Sequence, residues 1–170
     1  MEKLILASGS PRRKELLAYM GIPFSIVVSN GEEKADADDP EQIVEKLSRD
    51  KAGNVAKMLK NEKEPCLILG ADTVVAFNGK ILGKPRDKKD ARKTLMSLQG
   101  NTHQVFTGVT ILHKKEKKWE TVTFCEKTDV QFYPVSEEEI WEYVESGEPM
   151  DKAGAYGIQG GAARFVNRID

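Results

Sequence analysis

The sequence predicts a layered α/β domain. Three observations carry that expectation. Short apolar, β-branched stretches alternate with segments of helical periodicity along the whole chain. The helical segments open on capping and proline signals and close on glycine. The composition, 39% apolar and 31% charged over 170 residues, suits a globular chain large enough to bury a core.

In chain order, Leu4–Ala7 reads as a short buried strand. Ser10 is a good N-cap, Pro11 suits the first helical position and Gly21 the stop, so a helix is expected over Pro11–Met20. Phe24–Ser29 reads as a second strand. Asp39 and Pro40 open a helix with apolar residues at Ile43, Val44, Leu47, Val55, Met58 and Leu59. Cys66–Phe77 reads as a strand, and Asn78-Gly79 after it marks a tight hairpin. Arg86–Leu98 reads as a helix closed by Gly100. Gln104–Leu112 and Trp119–Tyr133 read as an antiparallel pair joined by a lysine-rich turn. Ser136 and Glu139 form a capping box. Glu148–Gly161 reads as a Gly-rich loop and Arg164–Ile169 as a last strand.

Several function classes fall away on composition. The net charge of −1 argues against a general duplex-binding surface. No run approaches the roughly 18 apolar residues of a membrane helix. The start, MEKLILASGS, reaches a proline and two arginines too soon for a secretory apolar region. Two cysteines and two histidines allow neither a zinc framework nor a disulfide scaffold, and Cys66 and Cys125 are expected reduced in a cytoplasmic protein. Ser/His/Asp hydrolysis is open only through His103 or His113, and His113 begins the charged run HKKEKK, expected as a solvated turn.

The informative residues are those that break local rules. Arg12 and Arg13 stand in the first turn of a helix, where the dipole disfavours cations by roughly 0.3–1 kcal/mol each. A phosphate would accept the free N–H groups of that turn and pair with both guanidinium groups, with Ser8 and Ser10 adding hydroxyls. Two solvated arginines on a capped surface helix are the plainer alternative. Lys51 falls on the row 43-47-51-55-59, whose other members are Ile, Leu, Val and Leu. It either snorkels outward or points into a polar cleft. Asp72 is the only charged residue between Cys66 and Phe77, so it must pair, bind metal or face a cleft at a strand end. A two-residue hairpin at Asn78-Gly79 sets Phe77 opposite Lys80 and, extrapolated, Thr73 opposite Lys84. That places Lys84 one step from Asp72 but on the other face, unless Gly83 hosts a bulge. In the Gly-rich loop, Asp151, Lys152 and Gln159 are candidate polar contacts. Glu32 and Glu33 are either solvated charges or a source of a metal ligand.

Taken together, Arg12, Arg13, Lys51, Lys84 and Lys152 form a local set of cations in a nearly neutral molecule. That suits a small polyanion such as a nucleotide or sugar phosphate. Carboxylates beside phosphate-binding cations suggest a hard divalent metal. There is no GxxxxGK[ST] loop, so a Walker-type NTPase is excluded.

At this point the chain resembles the Maf family of nucleoside triphosphate pyrophosphatases, relatives of inosine triphosphate pyrophosphatase. The matching segments are Ala7-Ser8-Gly9-Ser10-Pro11-Arg12-Arg13, Gly70-Ala71-Asp72-Thr73-Val74-Val75, Gly83-Lys84-Pro85, Thr107-Gly108-Val109 and the long run from Glu148 to Gly160. They stand in family order across nearly the whole chain. The resemblance implies an extended, curved mixed sheet flanked by helices, in two lobes with a deep central cleft. It implies a cytoplasmic, house-cleaning hydrolase that converts a nucleoside triphosphate to the monophosphate and pyrophosphate with Mg²⁺ or Mn²⁺. Asp72 falls on the family's proton acceptor, and Glu33 and Asp72 on candidate metal ligands. Ser8, Arg13, Lys51 and Lys84 fall on phosphate-contacting positions. Arg12, Thr73 and Gln159 match the residues that mark the subfamily acting on dTTP and UTP, normal or modified. A homodimer is implied, and no stable nucleic-acid partner. A non-catalytic nucleotide-binding regulator of cell division and a sugar-phosphate phosphatase stand as alternatives. Family members continue past the position of Asp170 with a Gly-Asp-Tyr-Tyr-like stretch and a closing helix. Residues 1–170 are therefore expected to form a single Maf-like domain without that strand and helix.

Overall fold

The computed structural model describes residues 2–28, 31, 38–60, 64–116 and 118–170. It is a mixed α/β architecture with four helices and one open sheet. In chain order the elements are β1 (Lys3–Leu6), α1 (Pro11–Tyr19), β2 (Phe24–Ile26), α2 (Pro40–Met58), β3 (Cys66–Phe77), β4 (Lys80–Leu82), α3 (Lys88–Leu98), β5 (Thr102–Lys115), β6 (Lys118–Phe132), α4 (Glu137–Glu145) and β7 (Val166–Ile169). The strand order is β2-β1-β3-β5-β6-β7, with β4 beside β3. The chain divides into two compact units, Met1–Asp72 with Thr107–Glu126 and Thr73–Phe106 with Lys127–Asp170. Strand β3 passes from one to the other between Asp72 and Thr73, and β5 and β6 likewise contribute to both.

In the first unit β1 runs parallel to both β2 and β3, with Ile5 opposite Ser25 on one side and Ile68 on the other. The α1 connection therefore leads to one neighbour of β1, while α2 leads on to the other. In parallel sheets ligands bind in the crevice where the strand order reverses, and here that point lies at the carboxyl end of β1, beside the middle of β3. Helix α2 starts as its sequence demands: Asp39 accepts a hydrogen bond from the Glu41 N–H, and Pro40 fills the first turn. Its apolar stripe is buried at Ile43, Val44, Leu47, Ala52 and Val55. Ala52 and Val55 join Ile5, Ala7, Cys66, Ile68 and Leu112 in one core. Two glycines let the helix sit on the sheet. A Cβ at Gly70 would lie 2.4 Å from the Ser48 carbonyl oxygen, and one at Gly108 would lie 2.2 Å from the Val44 carbonyl oxygen. A buried hydroxyl ladder pins the same helix. Ser48 Oγ donates to the Glu45 carbonyl at 2.9 Å or shares a proton with Thr110 Oγ1 at 2.8 Å, and Thr110 Oγ1 meets Thr123 Oγ1 at 3.0 Å.

The second unit is built around α3 and α4, which pack on one another over Val75, Val130 and Phe132. The hairpin forms as expected, with Asn78 (φ 49°) and Gly79 (φ 71°) both left-handed. Helix α4 carries the full capping box of Ser136 and Glu139. Strand β7 pairs with the end of β6, Val130 opposite Ile169.

Four expectations are corrected. Strands β5 and β6 run on through the lysine-rich segment, so HKKEKK is mostly ladder, and His113 Nε2 lies 3.1 Å from Glu2 Oε1. Helix α3 begins at Lys88, because Asp87 caps it by accepting from the Asp90 N–H at 2.8 Å. The β3–β4 ladder ends with Val75 opposite Leu82, so the pairing of Thr73 with Lys84 is not reached and Gly83 hosts no bulge. Gly83 instead offers its carbonyl to the Gly154 N–H at 3.1 Å. Finally, the loop after α4 winds into three short 3₁₀ turns, Glu148–Asp151, Ala153–Ala155 and Gly161–Phe165.

His103 belongs to this second core. It is fully buried, its Nε2 lies 2.7 Å from the Tyr156 hydroxyl, and its ring meets Phe132 edge-on at 4.9 Å. Burial pushes its pKa down to about 4 and pushes the Tyr156 phenol up. His103 is thus a neutral packing residue, which takes it out of the histidine-dependent hydrolase reading. A pH dependence follows from the sign of the shift. Below pH 6.5 the unfolded chain binds a proton that the folded chain accepts only near pH 4. This contribution to stability is complete above pH 6.5 and is lost as the pH falls towards 4, by at most about 3 kcal/mol. Melting curves between pH 7 and 4 are expected to show a flatter profile for His103→Gln than for the parent chain; equal slopes would assign the acid sensitivity elsewhere.

Candidate active site

The site is built where β1 ends beside β3. Strand β1 ends by donating the Ala7 N–H to the Leu69 carbonyl at 2.8 Å, and the chain then turns through Ser8-Gly9-Ser10 into α1. Strand β3 continues beyond this last rung to Gly70, Ala71 and Asp72. Ser8 is buried, and its hydroxyl accepts from the Ser10 N–H at 3.3 Å. Ser10 occupies the N-cap position, but its side chain makes no capping bond, contrary to the sequence expectation. Arg13 reaches back from the first turn of α1. Its Nη1 donates to the Ala71 carbonyl at 2.8 Å and to Ser8 Oγ at 3.2 Å, tying α1, the turn and the middle of β3 together.

Lys51 does not snorkel outward but meets a carboxylate. One helical turn beyond Leu47 and Ser48, its Nζ donates to Asp72 Oδ1 at 2.5 Å. The two side chains are only 19% and 11% exposed. Such a pair adds little net stability, because desolvation of both ions offsets their attraction. Its presence on an otherwise apolar row is better explained by chemistry than by folding. The structure thus brings together Ser8, Arg13, Lys51 and Asp72, with Arg12 half-buried next to Arg13 in α1. Glu33 lies outside the described residues.

Thr73, Lys84 and Gln159 belong to the second unit. Thr73 is half-buried in β3, Lys84 is exposed just after β4, and Gln159 is exposed in the turn between the second and third 3₁₀ segments. Lys152, counted among the cations by sequence, is tied into its own loop. Its Nζ donates to the Glu148 carbonyl at 2.6 Å and to Asp151 Oδ1 at 2.7 Å. Sequence reasoning did not anticipate the bonds made by the Ala71 carbonyl and by Glu148, whose carboxylate accepts from the Tyr143 hydroxyl and the Gly161 N–H. The first has no side-chain signal; the second stood in plain view at the head of a Gly-rich run.

A metal can be tested against these donors. Among the described residues no group of three His, Cys, Asp or Glu side chains stands together, so no ready-made protein cage exists there. Asp72, with one oxygen on Lys51, fits a hard cation that takes one protein carboxylate and fills its remaining positions from phosphate and water.

A helix N-terminus with two arginines beside a lysine–carboxylate pair is an arrangement suited to anionic, phosphate-bearing ligands. Residues 3–170 match the model of the Maf-like proteins, and the chain belongs to that family. A Bacillus anthracis protein named dTTP/UTP pyrophosphatase is 50% identical over 170 residues, which cover 99% of this chain and 85% of that one. A protein of the same name from Bacillus cytotoxicus is 49% identical over the same shares. Among solved structures, the Ham1 protein of Staphylococcus aureus aligns with a TM-score of 0.49 and 15% identity over 77% of this chain and 72% of that one; the family assignment does not rest on it. No described helix is long and apolar enough to cross a membrane.

Proposed function

We propose that this chain hydrolyses nucleoside triphosphates, dTTP and UTP foremost, to the monophosphate and pyrophosphate. The observation that carries the proposal is the convergence of Arg13 and Lys51 on Ala71 and Asp72 in the middle of β3, beside the first turn of α1. The names of the relatives near 50% identity support the substrate assignment.

In this reading the α1 amides, Ser8, Arg12 and Arg13 hold phosphate oxygens, and Lys51 and Lys84 take others. Lys51 also keeps the Asp72 carboxylate oriented. A water oriented by Asp72 attacks the α-phosphorus. The new P–O bond forms as the bond to the β-phosphate bridging oxygen breaks, the proton passes to the Asp72 carboxylate, and pyrophosphate leaves. The gain comes from positioning and from fixed charge around the developing transition state. A hard divalent cation such as Mg²⁺ or Mn²⁺, held by Asp72 with Glu33, supplies neutralisation of the triphosphate charge. Thr73 and Gln159 are the base-selecting residues, the Gln159 amide matching the pyrimidine edge, with Arg12 contributing to the same preference. The chain is proposed to work in the cytoplasm as a homodimer.

A screen of nucleoside triphosphates with product identification tests this, run with Mg²⁺ and again with chelator. Pyrophosphate and monophosphate from dTTP and UTP, abolished by chelator, are expected. Orthophosphate from sugar phosphates, or tight nucleotide binding without turnover, would overturn the reading.

A further inference from the structure

The turn that carries Gln159 is held from below by a device outside the reaction centre. Its backbone closes on itself, the Gly160 N–H donating to the Gly157 carbonyl at 3.1 Å. At one end Gly157 rests on the Lys152 stem so closely that a Cβ there would lie 2.9 Å from Lys152 Cε. At the other end Gly160 rests on the Glu148 carboxylate, where a Cβ would lie 2.0 Å from Oε1. Glu148 Oε2 accepts the Gly161 N–H at 3.0 Å, and Oε1 accepts the Tyr143 hydroxyl at 3.0 Å. Tyr143 is itself anchored in the core, its ring edge-on to Phe165 at 5.4 Å. The Lys152 ammonium closes the circuit by donating to the Glu148 carbonyl. One carboxylate thus joins the residue that follows the turn, through Oε2, to a core tyrosine, through Oε1, while the turn's apex side chain, Gln159, is exposed.

We propose that Glu148 is a positioning residue for base selection: with the Lys152 stem it clamps the Gly157–Gly160 turn, so that the Gln159 amide meets the nucleobase already oriented. The inference rests on the reading of Gln159 as a base-selecting residue. A preformed amide loses little conformational freedom on binding, and a substrate that fails to match it leaves a fixed polar group unpaired. With the clamp removed, the amide adapts to any base or to water, and discrimination is lost while the phosphate chemistry persists. Burial and the adjacent Glu148 charge both raise the Tyr143 phenol pKa, consistent with a hydroxyl that stays a donor at neutral pH.

The experiment measures kcat and KM for dTTP, UTP and dGTP in the full chain and in Glu148→Ala, Tyr143→Phe and Gln159→Ala, with a melting curve for each. Glu148→Ala is expected to lower the ratio of kcat/KM for dTTP over dGTP by about tenfold, mainly through a higher KM for dTTP. Tyr143→Phe keeps the ring in the core, drops one of the two bonds and gives a smaller loss of the same kind. Combining Glu148→Ala with Gln159→Ala adds no further loss of discrimination. An equal fall for all three nucleotides marks a merely structural role and overturns the proposal, as does an unchanged ratio in both Glu148→Ala and Tyr143→Phe. Should Glu148→Ala fail to fold, Tyr143→Phe alone decides. If Gln159→Ala keeps the parent's discrimination, the base-selecting reading fails, and the clamp proposal with it. A parent chain that releases no pyrophosphate overturns the proposed function itself.

Discussion

Asp72→Asn is expected to slow pyrophosphate release from dTTP by about a thousandfold or more, with a melting temperature within a few degrees of the parent. The substitution keeps volume and leaves an amide oxygen able to accept from Lys51, so the shape of the crevice survives. It removes the basicity that takes the proton from water and the negative charge that a cation needs. Because Lys51 is 19% exposed, its ammonium can recover hydration once the carboxylate is gone, which limits the cost in stability. Steady-state turnover and circular dichroism on the same preparation separate the two effects. Turnover at the parent rate would remove Asp72 from the mechanism.

Gly70→Ala is expected to lower both stability, by about 1–3 kcal/mol, and turnover, by more than the lost folded fraction explains. The new methyl would meet the Ser48 carbonyl oxygen at 2.4 Å and the Ala52 amide nitrogen at 2.9 Å, both backbone atoms of α2. Rotamer changes cannot relieve such a clash, so the helix itself must lift. Lys51 rides on that helix, between Ser48 and Ala52, and its reach to Asp72 Oδ1 lengthens with any displacement. The contrast is Gly53→Ala in the same helix, where nothing lies within 4 Å of the added Cβ. That change is expected to stabilise by about 0.5–1 kcal/mol through helix propensity alone and to leave kcat unaltered. A Gly70→Ala chain that melts and turns over like the parent would mean that α2 is not seated on the sheet as described.

Much of this architecture is legible in the residue order. Strand β3 has the predicted bounds, Cys66 to Phe77, because a long apolar run ending in Asn-Gly admits few other solutions. The Ser136–Glu139 box and the Asp39–Pro40 start are local devices and form as local devices do. Lys51 and Asp72 are legible as misfits, one cation on an apolar row and one carboxylate in a buried strand. That they meet each other is a tertiary fact: 21 positions apart, they are joined only by how α2 lies on β3. Ser10 looks like an N-cap on propensity, yet Ser8 accepts the nearby amide bond, because that choice depends on where Arg13 pulls the turn. The lysine-rich segment misleads for a related reason. Its charges read as a turn, but cross-strand pairs such as Lys115 Nζ with Glu120 Oε2 at 2.8 Å let the ladder run nearly to its end. The clamp on the Gln159 turn was invisible because glycine density signals close approach without saying to what.

Strand β6 has a further consequence. Between Lys118 and Thr128 it carries exposed apolar side chains, Val122 at 59% and Phe124 at 46%, with Glu120, Glu126 and Lys127 standing among them. Charge placed along an apolar strand in this way disfavours its pairing with a second copy of itself, so any redesign of this segment is expected to tolerate loss of the apolar groups better than loss of the charged ones.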